Sequence, residues 1–202
     1  YLTLFWTTFA GLKVAQAGSI VGIATMLAAF SALVFGTLSD NLYKYKIGRK
    51  FGRRHLLILL GVPLLLVTVL MFVPGMPVWA YFVVYALWII TNQLIMTPYS
   101  LLPNEMTTDF NGRTMLSTTR MLFSGISTAV VPLGMAALLN ALGDKKSSSY
   151  TISMGTFIVI FAICVFIAYK STWELTPEEA GFDVEQIENE QKEPFNFGKW
   201  LK

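Results

Sequence analysis

Charged residues and cysteines are both scarce in this chain of 202 residues. Only 13% of the residues are charged, whereas a soluble domain carries about a quarter, so the chain lacks the groups that keep a protein surface hydrated. The chain has one cysteine, Cys164, and therefore cannot form an internal disulfide framework. The one histidine, His55, has no second histidine for a metal site or an obvious catalytic partner. We expect it to be either a cation at the level of lipid headgroups or a neutral surface group.

Signatures of enzymes are also absent from the sequence. It contains no glycine-rich loop of the kind that holds phosphates, and no cysteine and histidine set at metal-ligand spacing. We therefore expect no catalytic residues, no bound metal and no resident cofactor. The chain is predicted not to be an enzyme.

Long apolar stretches take the place of these features, since 54% of the residues are hydrophobic. A helix needs about 20 apolar residues to cross the hydrocarbon core of a bilayer, and lipid cannot satisfy open backbone groups, so such stretches must be helical. Five segments are long enough, and a sixth at the start is about half as long, as expected for the outer half of a helix that begins before Tyr1. The segments are approximately 1–12 (partial), 14–39, 56–74, 78–102, 121–143 and 150–169. The predicted fold is all-α, a six-helix transmembrane bundle over residues 1–169.

The distribution of charge predicts the orientation of this bundle. Residues 1–169 contain eleven cations and four acids, a net charge of +7, and the loop 41–55 alone holds six cations and no acid. The positive-inside rule places such a loop in the cytoplasm. Alternation then puts the polar segment 104–120 and the tail 170–202 inside as well. We expect a multi-pass plasma membrane protein whose cations meet lipid headgroups rather than nucleic acid.

The tail 170–202 has a different chemistry, because eight of the twelve acids lie between Glu174 and Glu193. Thr176, Pro177 and Glu179 form a capping-box pattern that predicts the start of a short cytoplasmic helix. The tail either contacts the basic loop or serves as a solvated linker.

Asp40 directly precedes the loop 41–55, and two glycine–arginine pairs lie within it. This arrangement suggests a charge latch at the cytoplasmic edge. Asp40 ends the second helix, and three arginines follow it: Arg49, Arg53 and Arg54. A carboxylate beside a group of cations can form contacts that break when a gate opens. The other interpretation is that the cations only set the topology.

A resemblance to a known family rests on two strings. Residues 36–40 read Gly-Thr-Leu-Ser-Asp and residues 48–54 read Gly-Arg-Lys-Phe-Gly-Arg-Arg, which resembles the signature loop of major facilitator transporters. Residues 97–105, Thr-Pro-Tyr-Ser-Leu-Leu-Pro-Asn-Glu, with Asp109, Arg113 and Arg120, are similar to the corresponding run of the glycoside–pentoside–hexuronide cation symporters, the melibiose permease family. The resemblance implies a twelve-helix protein in two halves, of which this chain is the N-terminal six-helix half with the central loop.

The resemblance also implies roles for particular positions. The coupling cation of that family is held by carboxylates, but the aligned positions here are Ala28, Ala32 and Met96, whose side chains cannot replace a hydration shell. Either the protein couples to Na⁺ or H⁺ differently, or it works without a coupled ion. Four further charged residues are expected to act at the cytoplasmic gate and to form ion pairs if they share one helix face. They are Glu105, Asp109, Arg113 and Arg120.

One face of the fourth helix is the candidate substrate surface. Tyr85, Trp88 and Asn92 follow one another at helical spacing; aromatic rings stack on sugars and amides bond their hydroxyls. Asn92 and Gln93 lie mid-membrane, where a polar side chain has either a functional role or a role in joining helices. Trp79, Tyr81 and Tyr85 could instead form an aromatic belt at the outer interface. The alternatives stay open at this point.

The function predicted from these features is secondary transport of a sugar or glycoside by alternating access, with or without a coupled cation. The partners implied are a small-molecule substrate, membrane lipids and a C-terminal six-helix half. Two alternatives are a non-transporting membrane subunit or truncated half-transporter, and a transporter of a lipid or drug-like amphiphile.

Overall fold

The structure, a computed structural model, describes residues 1–42, 52, 54–143 and 145–174, and at Asp40 and Asn41 it describes the backbone alone. Every regular element in these ranges is helical, which confirms the predicted all-α class. The helices are α1 (Leu2–Thr8), α2 (Val14–Asn41), α3 (His55–Val67) with a 3₁₀ continuation (Thr68–Phe72), α4 (Val78–Met106), α5 (Phe110–Leu142) and α6 (Ser147–Ser171). The predicted tail helix and the loop 43–51 lie outside the described residues.

Five of these helices, α2 to α6, are long and apolar enough to cross a membrane. Helix α5 begins at Phe110 rather than near Met121, because Asp109 caps its N-terminus by accepting the amide N–H of Gly112 at 2.7 Å. The polar segment 104–120 is therefore mostly helical, and only residues 107–109 interrupt it. Polar composition alone did not distinguish a loop from a helix end that extends beyond the lipid.

Helix α4 occupies the centre of the bundle, where it packs against α2, α3 and α5. At the end formed by α1 and the start of α4, the core is rich in aromatic rings, including Phe5, Trp6, Phe72 and Tyr81. Towards the other end, a second apolar cluster joins α3, α4 and α6; its buried members are Ile58, Leu65, Ile95, Leu102, Ala162 and Val165. The two clusters hold the helices in register and position the polar groups described below.

The closest approach between α3 and α4 depends on Gly61. A Cβ atom added at Gly61 would lie 2.3 Å from Cγ1 and 2.6 Å from Cδ1 of Ile95. Since Cγ1 is bound directly to the β-carbon of a buried side chain, it can move aside only if Ile95 adopts another rotamer in the packed core or the helix shifts. The absence of a side chain at Gly61 is therefore what allows the two helices to pack.

We expect Gly61→Ala to lower the thermal unfolding midpoint of the purified protein in detergent, because overpacking in a close-packed core costs about 1–3 kcal/mol. Gly155→Ala is the matched control, since its added Cβ would meet only Val69, at an ordinary 3.8 Å. Equal midpoints for the two variants would show that α3 and α4 are not held at this distance.

Candidate functional site

Ionisable side chains from three helix ends meet at one end of the bundle, which we call the basic end. Its members are Arg54 and His55 at the start of α3, Glu105 near the end of α4, and Glu174 just after α6. The chain enters this cluster through Gly52, whose positive φ of 83° is one that glycine adopts without strain. Arg54 and His55 follow at the start of α3, where their side chains lie at the interface of three helices.

Arg54 and Glu105 join α3 to α4. Nη2 of Arg54 lies 2.7 Å from Oε1 of Glu105, and the two side chains are only 8% and 13% exposed. An ion pair this far removed from water has little solvent screening, and removing one partner would leave a buried charge uncompensated. Both are predicted gating residues, and the structure pairs them with each other.

Glu174 joins the end of α6 to the start of α3. Its Oε1 accepts the backbone N–H groups of Arg54 at 2.8 Å and His55 at 2.9 Å, and it lies 3.0 Å from Nδ1 of the His55 ring. These amides belong to the first turn of α3, whose N–H groups have no partner within the helix. A carboxylate at this position also meets the positive end of the helix dipole.

The pKa of Glu174 reflects this environment. Burial by itself would raise the pKa, but the hydrogen bonds from the His55 ring and from the His55 and Arg54 amides, with the charge of His55, outweigh it and hold the pKa below its ordinary value. The carboxylate is therefore ionised at neutral pH and can accept all three bonds.

The expectation that His55 is a surface group is wrong. The residue is only 7% exposed, and Nε2 of its ring lies 2.9 Å from Oγ1 of Thr172. The ring also contacts Tyr169 edge-on, with 5.7 Å between ring centroids. The surface expectation failed because the segment after α6 folds back over the ring, and a loop position in the sequence does not show which segment covers it.

Three other predicted gating residues bond backbone groups. Asp109 caps α5, Arg113 donates from Nε to the carbonyl of Thr107 at 2.7 Å, and Arg120 donates from Nη1 to the carbonyl of Ser100 at 3.0 Å. Glu105, Asp109, Arg113 and Arg120 would share one face only on a continuous helix, and residues 107–109 separate α4 from α5. The Asp40 side chain, Arg49 and Arg53 lie outside the described residues.

The candidate substrate face on α4 has an aromatic stack at its centre. Tyr85 stacks on Trp88, with ring centroids 5.7 Å apart and planes 13° apart, and meets the ring of Trp6 edge-on at 5.5 Å. Tyr81 is buried, and its hydroxyl donates to the carbonyl of Val73 at 2.7 Å. The belt interpretation is therefore wrong for Tyr81 and Tyr85, whereas Trp79 is 70% exposed and fits it.

The two mid-membrane amides occupy different surroundings. Nε2 of Gln93 donates to the backbone carbonyl of Ala28 at 3.2 Å, which joins α4 to α2. Asn92, its neighbour in sequence, is half-buried. The structure thus gives Gln93 a helix-joining contact at the very residue, Ala28, where the resemblance expects a cation ligand.

Some residues matter through contacts between distant segments, and the sequence alone does not identify them. The sequence alone places Glu174 in the acidic tail and does not single out Trp6 or Thr172. One signal was available, because Glu174 is the first acid after the last apolar stretch. That position places it at the same end of the bundle as the arginine-rich loop.

Comparison with known proteins agrees with this architecture. The family model described as MFS/sugar transport protein matches residues 1–199. The chain belongs to this family of the major facilitator superfamily. The match confirms the family resemblance and the interpretation as an N-terminal half.

Two curated relatives come from Bacillus subtilis (strain 168). The uncharacterized symporter YjmB is 28% identical over 180 residues, and the uncharacterized symporter YnaJ is 28% identical over 185 residues. Each alignment covers 86% of this chain but only 38% of the relative. No solved structure matches the chain significantly.

We expect a double-mutant cycle of Arg54→Met and Glu105→Gln to show coupling. Each single variant strands a buried charge, so each should lower stability by about 3 kcal/mol, and the double variant should lose less than their sum. Thermal unfolding in detergent measures the effect. A control cycle of Arg113→Met with Glu105→Gln should be additive, because Arg113 bonds a carbonyl; additivity in both cycles would argue against the ion pair.

Proposed function

We propose that the complete protein is a secondary transporter that moves a sugar or glycoside across the plasma membrane by alternating access. The match of the sugar transport family across residues 1–199 carries the proposal. The names of two relatives as symporters support it. In such transporters two helical halves rock about a site near the midplane of the bilayer.

The substrate face that we propose is the α4 surface around Trp88 and Asn92, with Tyr85 behind it. The stack of Tyr85 on Trp88 holds the indole ring in place, and a fixed aromatic plane can lie against the apolar face of a sugar. Asn92 is one turn further along α4 and could bond sugar hydroxyls. Gln93 acts by positioning α4 against α2 through its bond to Ala28.

Coupling to Na⁺ or H⁺ is a separate proposal. The positions expected to bind the cation are Ala28, Ala32 and Met96, and apolar side chains cannot replace the oxygens of a hydration shell. We propose that any coupling ion binds elsewhere in the complete protein, and that a facilitator without a coupled ion is the other outcome. Uptake measured with and without a sodium or proton gradient distinguishes the two.

The basic end is the proposed gate. Arg54 and Glu105 tie α3 to α4, and Glu174 ties α6 to α3. All of these bonds join ends of different helices, so they can break together when the helices move apart. We propose that Asp40, Arg49, Arg53, Asp109, Arg113 and Arg120 contribute to the same gate.

The rest of the protein is proposed to pack against α5. Residues 121–133 of α5 are exposed on every side of the helix, and the chain spans 38% of the length of its relatives. A helix surface that is this exposed on every side meets either lipid or further helices. We propose that a C-terminal six-helix half covers part of this surface and that membrane lipids cover the remainder.

In the complete transporter, Trp88→Leu should raise the half-saturating sugar concentration for uptake by up to about tenfold, because the stacking of an aromatic ring contributes about 0.5–1.5 kcal/mol. Uptake of labelled hexose, pentose, hexuronate and disaccharide probes into proteoliposomes measures the effect. Trp79→Leu is the control, since Trp79 is exposed. Uptake of an amphiphile but of none of the probe sugars would show that the proposed substrate class is wrong. Uptake of no compound at all would show that the transporter proposal is wrong.

The proposed orientation places the basic end in the cytoplasm. In a Cys164→Ala background, a membrane-impermeant thiol reagent applied to intact cells should label Lys145→Cys, at the turn between α5 and α6, but not Thr108→Cys, between α4 and α5. Both positions are exposed, so access and not burial decides the result. Permeabilised cells should label both, and the reverse pattern in intact cells would invert the orientation.

A further inference from the structure

The His55 ring lies between two oxygen atoms. Oε1 of Glu174 is 3.0 Å from Nδ1, and Oγ1 of Thr172 is 2.9 Å from Nε2. A neutral imidazole has one N–H group and one bare nitrogen, so it can donate only one of these bonds and must accept the other. The protonation state of His55 therefore follows from which of the two oxygens has a proton to give.

Glu174 has no proton to give at Oε1. The same oxygen accepts the backbone N–H groups of Arg54 and His55, and a carboxyl oxygen that carried a proton would be too poor an acceptor to hold both amides, whereas an ionised carboxylate oxygen can accept all three bonds. The lowered pKa of the carboxyl agrees with an ionised group. Nδ1 of His55 must therefore be the donor.

Thr172 has no proton to give either. Its hydroxyl oxygen lies 2.7 Å from the carbonyl oxygen of Ala168. Two oxygens this close repel unless a proton lies between them, and the carbonyl has none. The single hydroxyl proton is thus committed to Ala168, Oγ1 presents a lone pair to the ring, and Nε2 of His55 must also be a donor.

We propose that His55, Glu174 and Thr172 form a proton-binding site, and that the segment 172–174 docks onto the start of α3 only when both ring nitrogens of His55 carry a proton. The ligand of the site is the proton itself. Docking of this segment is then linked to pH. The proposal goes beyond transport and concerns the connection that follows the last helix.

The other ionisable groups near the ring are consistent with this assignment. Arg54 and Glu105 pair with each other beside His55, and Tyr169 on α6 presents its ring edge-on. Lys170 on α6 is exposed, with Nζ 6.0 Å from the centroid of the Phe166 ring. Among the described residues, the carboxylate that contacts the His55 ring is that of Glu174.

The direction of the pH dependence follows from the two groups that titrate. Loss of either ring proton of His55 removes one of the two donors, so docking weakens as the pH rises. Protonation of Glu174 also removes the contact, but only as pH falls through its lowered pKa.

The test uses ¹⁵N-histidine NMR on the complete purified protein, with His55→Gln identifying the signal by its loss. At pH 7 we expect both ring nitrogens of His55 to show the shifts of protonated nitrogen. Thr172→Val should produce a neutral ring with the proton on Nδ1, and Glu174→Gln should reduce the imidazolium signal. Thr156→Val is the matched control, because Thr156 also bonds a carbonyl of α6 but does not contact the ring. One bare nitrogen in the unmodified protein at pH 7 would overturn the proposal.

Amide hydrogen exchange tests the linkage to docking. Protection factors of the Arg54 and His55 amides should fall as pH rises from 6 to 8, by at most about tenfold per pH unit for a single proton. In His55→Gln this dependence should disappear. The same dependence in both proteins would show that docking does not require the proton. Since neither readout involves transport, failure here is distinguishable from failure of the proposed function.

Discussion

The carboxylate of Glu174 holds together the part of the structure in which the ends of three helices meet. Without it, the first amides of α3 would lie at a protein interface with no acceptor, and the His55 ring would lose the oxygen facing Nδ1. The loss of a hydrogen-bond acceptor costs more free energy in such a site than at the surface, because water cannot reach the buried donor to replace it. One side chain thus connects the end of α6 to the start of α3, and the neighbouring pair of Arg54 and Glu105 extends the connection to α4.

The lipid environment explains why these charges lie at the ends of the helices. The hydrocarbon core does not hydrate ions, so a chain with five apolar spans keeps its ionisable groups at the helix ends. Within the spans, the helices are joined by weaker contacts. Gln93 bonds a backbone carbonyl of α2, and Gly61 lets Ile95 approach closely. The strong interactions at the ends can change while the apolar contacts along the helices persist.

The candidate substrate face could be anticipated only in part. The spacing of Tyr85, Trp88 and Asn92 placed them on one face of a helix, as the structure shows. The spacing did not show that Tyr85 is covered by Trp6 or that Gln93 reaches Ala28. Those contacts depend on how α1 and α2 pack against α4, and helical periodicity contains no information about the neighbouring helix.

By itself the sequence determined the all-helical class, the five spans, the family and the end of the bundle at which the cations collect, because length and apolarity decide what can cross lipid. Only the tertiary structure decided that Arg54 pairs with Glu105, that His55 is buried and that Glu174 caps α3. The bonds of Glu174 join residues about 120 positions apart. Ion pairs and caps of this kind form only where helix ends are brought together, and packing sets that arrangement.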